Sequence, residues 1–218
     1  DKTGTFKPMV DQKAGKARHW NIARLSSREN PLVLFTLATQ AAIGLFALLV
    51  LGSALGVPVI AAVTVSAMYP AAVLLSIALV AFGLFMSTVH LGKPIRFYRG
   101  FNNLRHSPVA REGAGVATFM AFAGLHTLLV VAQAQWLLEL FPVLASAGSA
   151  LAIPAQVCAV LALLGAGVGL YYMYRCYRIK ARPFWDHKQT GFAFVGCGLY
   201  LGALCLAVFG GSARALSG

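Results

Sequence analysis

Five apolar stretches of about twenty residues alternate with polar connections along this chain, at 31–52, 70–91, 113–136, 154–177 and 191–210. A helix rises 1.5 Å per residue, so each stretch is long enough to cross a hydrocarbon core about 30 Å thick. The runs are too long and too unbroken for barrel strands, and in lipid a helix satisfies its own backbone. The pattern therefore predicts an all-α integral membrane protein, a bundle of about five transmembrane helices. Pro31, Pro70 and Pro154 stand where a helix begins, a position that tolerates the missing N–H. The stretch 57–68 is apolar as well, but Pro58 and Pro70 leave too few residues between them for a sixth span. It reads as an interfacial or loop segment. Gly165 and Gly169, and likewise Gly198 and Gly202, put small residues on one helix face, which lets helices pack closely in lipid.

Composition agrees: 59% of residues are hydrophobic and 11% charged, against about 25% charged in soluble domains. The placement of charge says more than its sum of +12. Lys and Arg number seven in 1–30, five in 91–112 and five in 174–190, while 53–69 and 137–153 carry none. Five spans bring all three basic segments to one side, which the positive-inside rule makes the cytoplasm of a bacterial inner membrane. The excess charge is thus a topology signal, and no nucleic-acid partner is expected. The chain divides into a basic polar tail (1–30), a helical membrane domain (31–210) and a short C-terminal segment (211–218). It starts with Asp, and its first thirty residues lack a signal-peptide pattern, so a processed or excised piece of a longer protein is expected.

Polar chemistry inside the apolar stretches is sparse. Cys158, Cys176, Cys197 and Cys205 show no C-x-x-C spacing, so they read as small packed hydrophobes and not as cluster or zinc ligands. Of His19, His90, His106, His126 and His187, only His126 falls deep within a span. A haem held by two histidines needs both at similar depth, so no haem is expected, and His126 reads as hydrogen-bonded to a neighbouring helix. His90 and Glu112 differ. The second span descends to the basic side and the third returns from it, so both residues stand at that rim. An ionisable residue at a membrane boundary is expensive unless paired or wet. A carboxyl and an imidazole can each take up or release a proton, which suits quinol or quinone chemistry. The alternative is a carboxylate favoured by the helix dipole, with Arg111 or Arg96 beside it.

The stretch STVHLGKPIRFYRGFNNLRHSPVAREG, 87–113, resembles the characteristic segment of the dimethyl sulfoxide reductase anchor-subunit family. In that family the second helix ends in H-L-G-x-P, followed by R-A-x-x-x-L-N and by an S-x-x-S/N-x-E opening to the third helix. The opening PLVLFTLATQAAIGLF is similar too. So is YYMYRCYRIKARPFWDHKQTGFAF, with an aromatic–Arg–Tyr exit from the fourth helix and a W-x-x-x-x-T-x-x-x-F entry to the fifth. The resemblance implies a haem-free anchor of a molybdopterin oxidoreductase, with sulfite-oxidising assemblies among its relatives. Such an anchor binds menaquinone or ubiquinone and meets a four-cluster ferredoxin-like iron–sulfur subunit. Molybdopterin is carried by the catalytic subunit, and the iron–sulfur clusters also belong to partners. The quinone-site histidine and glutamate map onto His90 and Glu112. Arg96, Lys93 and Arg105 share that connection, placed to orient the quinone or to meet the iron–sulfur subunit. Gln40 and Thr36, one turn apart, either face the quinone or bond between helices. Arg99, Arg105, Arg175, Arg178 and Arg182 are the expected docking cations. The family pattern has eight helices and this sequence shows five, so the last three are expected to be absent, undetermined or lost. The tail reads as the end of a fused iron–sulfur domain or as an arm along the partner.

A different class, a small transporter or assembly scaffold without redox role, would show inverted repeats, broken helices or charges at mid-membrane. No such charge lies deep in a span, and no internal repeat is evident.

Overall fold

The computed structural model describes residues 30–66, 68–89, 94–141, 145–180 and 183–217. The expected basic tail, His90, Lys93 and Arg182 lie outside them. For Arg96 the backbone is described and the side chain is not. The described elements are α1 (Asn30–Ala54), α2 (Pro58–Thr64), α3 (Met68–Val89), a 3-10 helix (Pro94–Asn103), α4 (Pro108–Val131), α5 (Gln135–Leu140), α6 (Ala145–Tyr177) and α7 (Lys188–Ser217), with no strand among the described residues. Asn30–Ala54, Met68–Thr88, Pro108–Val131, Ala150–Tyr177 and Lys188–Gly211 are long and apolar enough to cross a membrane. The chain is a multi-pass helical membrane protein with the five spans that the hydropathy pattern predicts.

Three local readings change. The third span starts at Pro108, five residues before the expected 113. Ser107 takes the N-cap position, its hydroxyl accepting from the Ala110 amide at 3.2 Å, and Pro108 follows at the first helical position. A cap and a proline together define a helix start better than hydropathy does. Second, 57–68, expected as an interfacial or loop segment, contains a short helix: Pro58–Thr64 forms the two-turn helix α2, with Ile60 and Val63 buried. It is entered through a tight turn at Gly56, whose φ is 68°. There the Val57 amide bonds the Gly52 carbonyl and the Gly56 amide bonds the Ser53 carbonyl, the paired pattern that ends a helix on a left-handed glycine. Third, α7 runs on to Ser217, so 211–217 continues that helix.

α1 runs through the middle of the bundle, with α3 along one side and α7 along the other, while α4 and α6 form the other close pair. Glycine sets both close seams. A Cβ on Gly115 of α4 would collide with the Gly169 backbone of α6, and one on Gly165 would stand 2.7 Å from the Phe119 amide. A Cβ on Gly202 of α7 would strike the Gly44 backbone of α1. The paired glycines read from sequence as packing positions therefore occupy the helix contacts. Between the seams lies a core of Leu45, Phe46, Leu49, Val73, Val80, Val116, Phe119 and Met173, all fully buried. Phe46 meets Phe119 edge to face at 5.5 Å, tying α1 to α4.

Candidate functional site

Helix direction brings the start of α1, the end of α3, the start of α4, the end of α6 and the start of α7 to one end of the bundle. Arg99, Arg105, Arg175, Arg178, Lys180 and Lys188 lie there, all six exposed. This is the basic end.

The early start of α4 moves Glu112. It is the fifth residue of the helix rather than the residue before it, one turn inside, and only 7% exposed. It thus sits past the first turn, where the helix dipole acts most strongly. Facing it from the last turn of α6 is Cys176, whose thiol donates to Glu112 Oε2 across 3.3 Å. Arg111 is not its partner. Adjacent residues diverge by about 100° around a helix, and the guanidinium is occupied elsewhere: Nε donates to the Leu104 carbonyl at 2.6 Å, Nη2 to the Arg105 carbonyl, and Nη1 to the Tyr172 hydroxyl at 3.0 Å. Arg111 also lies 5.2 Å from the Tyr172 ring centre. It fastens the turn after the 3-10 helix to α4 and α6.

Glu112 and Cys176 open onto a cavity of about 530 Å³. α1 contributes Leu32, Phe35 and Thr36; α3 contributes Leu84, Ser87 and Thr88; the 3-10 helix contributes Gly100 and Phe101. Tyr177, Ile179 and Trp185 close the side toward α7. An apolar chamber of a few hundred Å³ with a few convergent polar groups is the usual form of a small-molecule site. The aromatic side is held by three contacts. Tyr177 packs 5.7 Å from Trp185 and 5.0 Å from Phe194, ring centre to ring centre, and the Thr190 hydroxyl donates to the Trp185 carbonyl at 2.9 Å. The Trp, Thr and Phe of the W-x-x-x-x-T-x-x-x-F stretch thus converge on one corner of the cavity.

Of the residues named from sequence, Glu112 and Thr36 line this cavity. The Thr36 hydroxyl donates to the Leu32 carbonyl of its own helix at 2.9 Å. Gln40 does not line it. Its side chain is fully buried between helices, with Nε2 3.8 Å from the Met173 sulfur. Arg178 pairs with Asp186 and with the Tyr174 hydroxyl, interactions that hold its guanidinium further above the ordinary value, and Arg175 reaches the Tyr171 hydroxyl at 3.5 Å. His126 is a helix-to-helix connector. Its Nδ1 lies 2.8 Å from the Ala155 carbonyl of α6, and its Nε2 lies 2.7 Å from the Tyr69 hydroxyl of α3. Sequence reading missed Cys176, Ser87, Thr88, Phe101 and Trp185 as lining residues. Cys176 was legible in principle, since the last turn of a span that ends at the basic side has the same depth as Glu112.

Among the described residues no group of three or more His, Cys, Asp or Glu side chains is arranged to hold a metal ion. These features define a helical membrane protein with a carboxyl group buried in a mostly apolar chamber at the end of its bundle. The sequence profile of the DMSO reductase anchor subunit (DmsC) family matches residues 25–215, and the chain belongs to that family. It is 31% identical over 170 residues to the C subunit of the anaerobic dimethyl sulfoxide reductase of Haemophilus influenzae, a match that covers 76% of this chain and 53% of the relative. The chain therefore spans about half the length of that curated relative. No solved structure matches it.

Proposed function

We propose that this protein is the membrane anchor of a molybdopterin and iron–sulfur oxidoreductase, and that the chamber at its basic end binds the headgroup of a menaquinone- or ubiquinone-type molecule. The observation that carries this reading is Glu112, a carboxyl group 7% exposed, opening onto the 530 Å³ cavity. A quinone headgroup is a flat, largely apolar ring with two oxygens across it. The residues fit such a group. Phe35, Phe101, Tyr177 and Trp185 provide apolar and aromatic surface, Glu112 and Cys176 offer polar atoms from α4 and α6, and Thr36, Ser87 and Thr88 offer them from α1 and α3.

When bound, the quinol supplies two electrons and two protons. Glu112 takes up a proton from the headgroup hydroxyl or returns one to it, and the surrounding apolar walls keep bulk water from competing. His90 follows Thr88, a lining residue, by two positions in the chain, and we assign it the second proton-handling role. Lys93 and Arg96, on the same connection, orient the headgroup. Electrons leave toward clusters held by an iron–sulfur subunit docked over Arg99, Arg105 and Arg175, with the molybdopterin subunit beyond it. By the positive-inside rule this end faces the cytoplasm of a bacterial inner membrane.

The test is Glu112→Gln in the assembled complex. Quinol-linked turnover is expected to fall by about a hundredfold or more, the low side of what a lost proton-transfer group removes, while turnover with an artificial dye donor stays level. Equal loss of both activities would assign Glu112 a purely structural role.

A further inference from the structure

Cys176 is given no part in the proton transfer above, yet it is the side chain that meets Glu112. The contact follows from the seam between α4 and α6. Gly115 and Gly169 bring these antiparallel helices together backbone to backbone. Glu112 lies one turn from Gly115 and Cys176 two turns from Gly169, both toward the basic end and both on the stripe that the glycines start. Side chains on a helix lean toward its N-terminus. Glu112 therefore reaches outward along α4, while Cys176 leans back along α6 to meet it, Sγ to Oε2, at 3.3 Å. A thiol is small enough for so close a seam and still carries a hydrogen-bond donor.

We infer that Cys176 is a positioning residue for Glu112: its S–H fixes Oε2, so that the carboxyl group is presented to the chamber in one orientation rather than several. This inference rests on the quinone-site reading. A free carboxyl at the end of a glutamate side chain has three torsions to settle, and a group that must exchange protons with a bound headgroup gains from having them settled beforehand.

The experiment uses the full chain in lipid nanodiscs with menadione as the probe, its binding followed by quenching of tryptophan fluorescence, to which Trp185 in the lining of the chamber contributes beside Trp20 and Trp136. Cys176→Ala is expected to weaken binding about fivefold, the equivalent of one modest hydrogen bond. Cys176→Ser, which keeps a donor in nearly the same volume, is expected to stay within about twofold of the wild-type protein. The deciding arm repeats Cys176→Ala on a Glu112→Gln background, where the group being positioned is gone. There the alanine change is expected to add nothing, because the two residues act as a unit. An equal loss on both backgrounds would overturn the inference and leave Cys176 a packing residue. So would an intact Cys176→Ala variant alongside a weakened Glu112→Gln one. Wild-type protein that fails to bind menadione would overturn the quinone-site reading itself, and the positioning role with it.

Discussion

Gly44 of α1 and Gly198 of α7 meet so closely that a Cβ on Gly44 would overlap the Gly198 carbonyl oxygen. The contact is asymmetric. A Cβ on Gly198 would stand 3.2 Å from the Gln40 carbonyl, which a shift of a few tenths of an ångström relieves, whereas one on Gly44 meets backbone that cannot turn aside. Gly44→Ala is therefore expected to cost about 1–3 kcal/mol or more, the range for overpacking a rigid contact, and Gly198→Ala distinctly less. Gly124, with nothing within 4 Å of its Cβ position, is the control. Thermal unfolding in detergent should rank the three as Gly44, Gly198, Gly124, and an equal ranking of the first two would refute the asymmetry.

Arg111 joins the Leu104 and Arg105 carbonyls to the Tyr172 hydroxyl through one planar guanidinium. Lysine keeps the charge but offers a single point donor in place of a fork. Arg111→Lys is expected to loosen the segment that carries Gly100 and Phe101, two lining residues of the chamber. Hydrogen–deuterium exchange should rise across 98–107 while the spans keep their protection. Unchanged exchange in that segment would show that Arg111 does not hold it.

The side of the chamber toward α7 depends on a hydroxyl. Thr190 donates to the Trp185 carbonyl at 2.9 Å, pinning the residue whose ring packs on Tyr177. Thr190→Val removes that donor and leaves the shape nearly unchanged, so a loss of about 1 kcal/mol in stability is expected. Trp185 emission should change as well, because the ring's surroundings loosen. Thr190→Ser should recover both. A Val variant of full stability beside a weakened Ser variant would assign the effect to the methyl group instead.

Hydropathy alone is enough to find the five spans, because an apolar run of twenty residues has few other places to go. It cannot place their ends. By hydropathy Glu112 stands just before the third helix, and Ser107 and Pro108 put it one turn inside, which is what buries it. The glycine pairs are legible as packing positions, but not which helices they join, since spacing on one helix carries no information about its partner. Thr36 and Gln40 share a face by spacing and part company in the fold. One turn separates the lining of the chamber from the interior of the bundle, where Gln40 meets Met173. The same limit applies to Cys176: its depth, level with Glu112, is readable from the topology, but that it faces Glu112 is not until the helix opposite it is known.

His126 provides the sharpest contrast with Glu112 on the same helix. Both are buried and ionisable, and they lie 14 residues apart along α4 (112 to 126), about 21 Å at 1.5 Å per residue. Neutral imidazole satisfies both of its neighbours at once, with one ring nitrogen donating to the Ala155 carbonyl and the other accepting from the Tyr69 hydroxyl. Phe46 packs against its ring edge at 5.8 Å, so little space remains for anything else. The role is to tie α3, α4 and α6 together. His126→Leu would leave the Tyr69 hydroxyl without this partner and the Ala155 carbonyl one bond poorer. A loss of about 1–3 kcal/mol is expected, the range for a buried polar group deprived of its partner. Tyr69→Phe removes only one of the two bonds and should cost less. Menadione binding by His126→Leu protein that remains folded should stay within about twofold of wild type, because the chamber lies at the other end of the helix. A His126→Leu variant of full stability that no longer bound menadione would place His126 in the quinone site and refute the division of labour along α4.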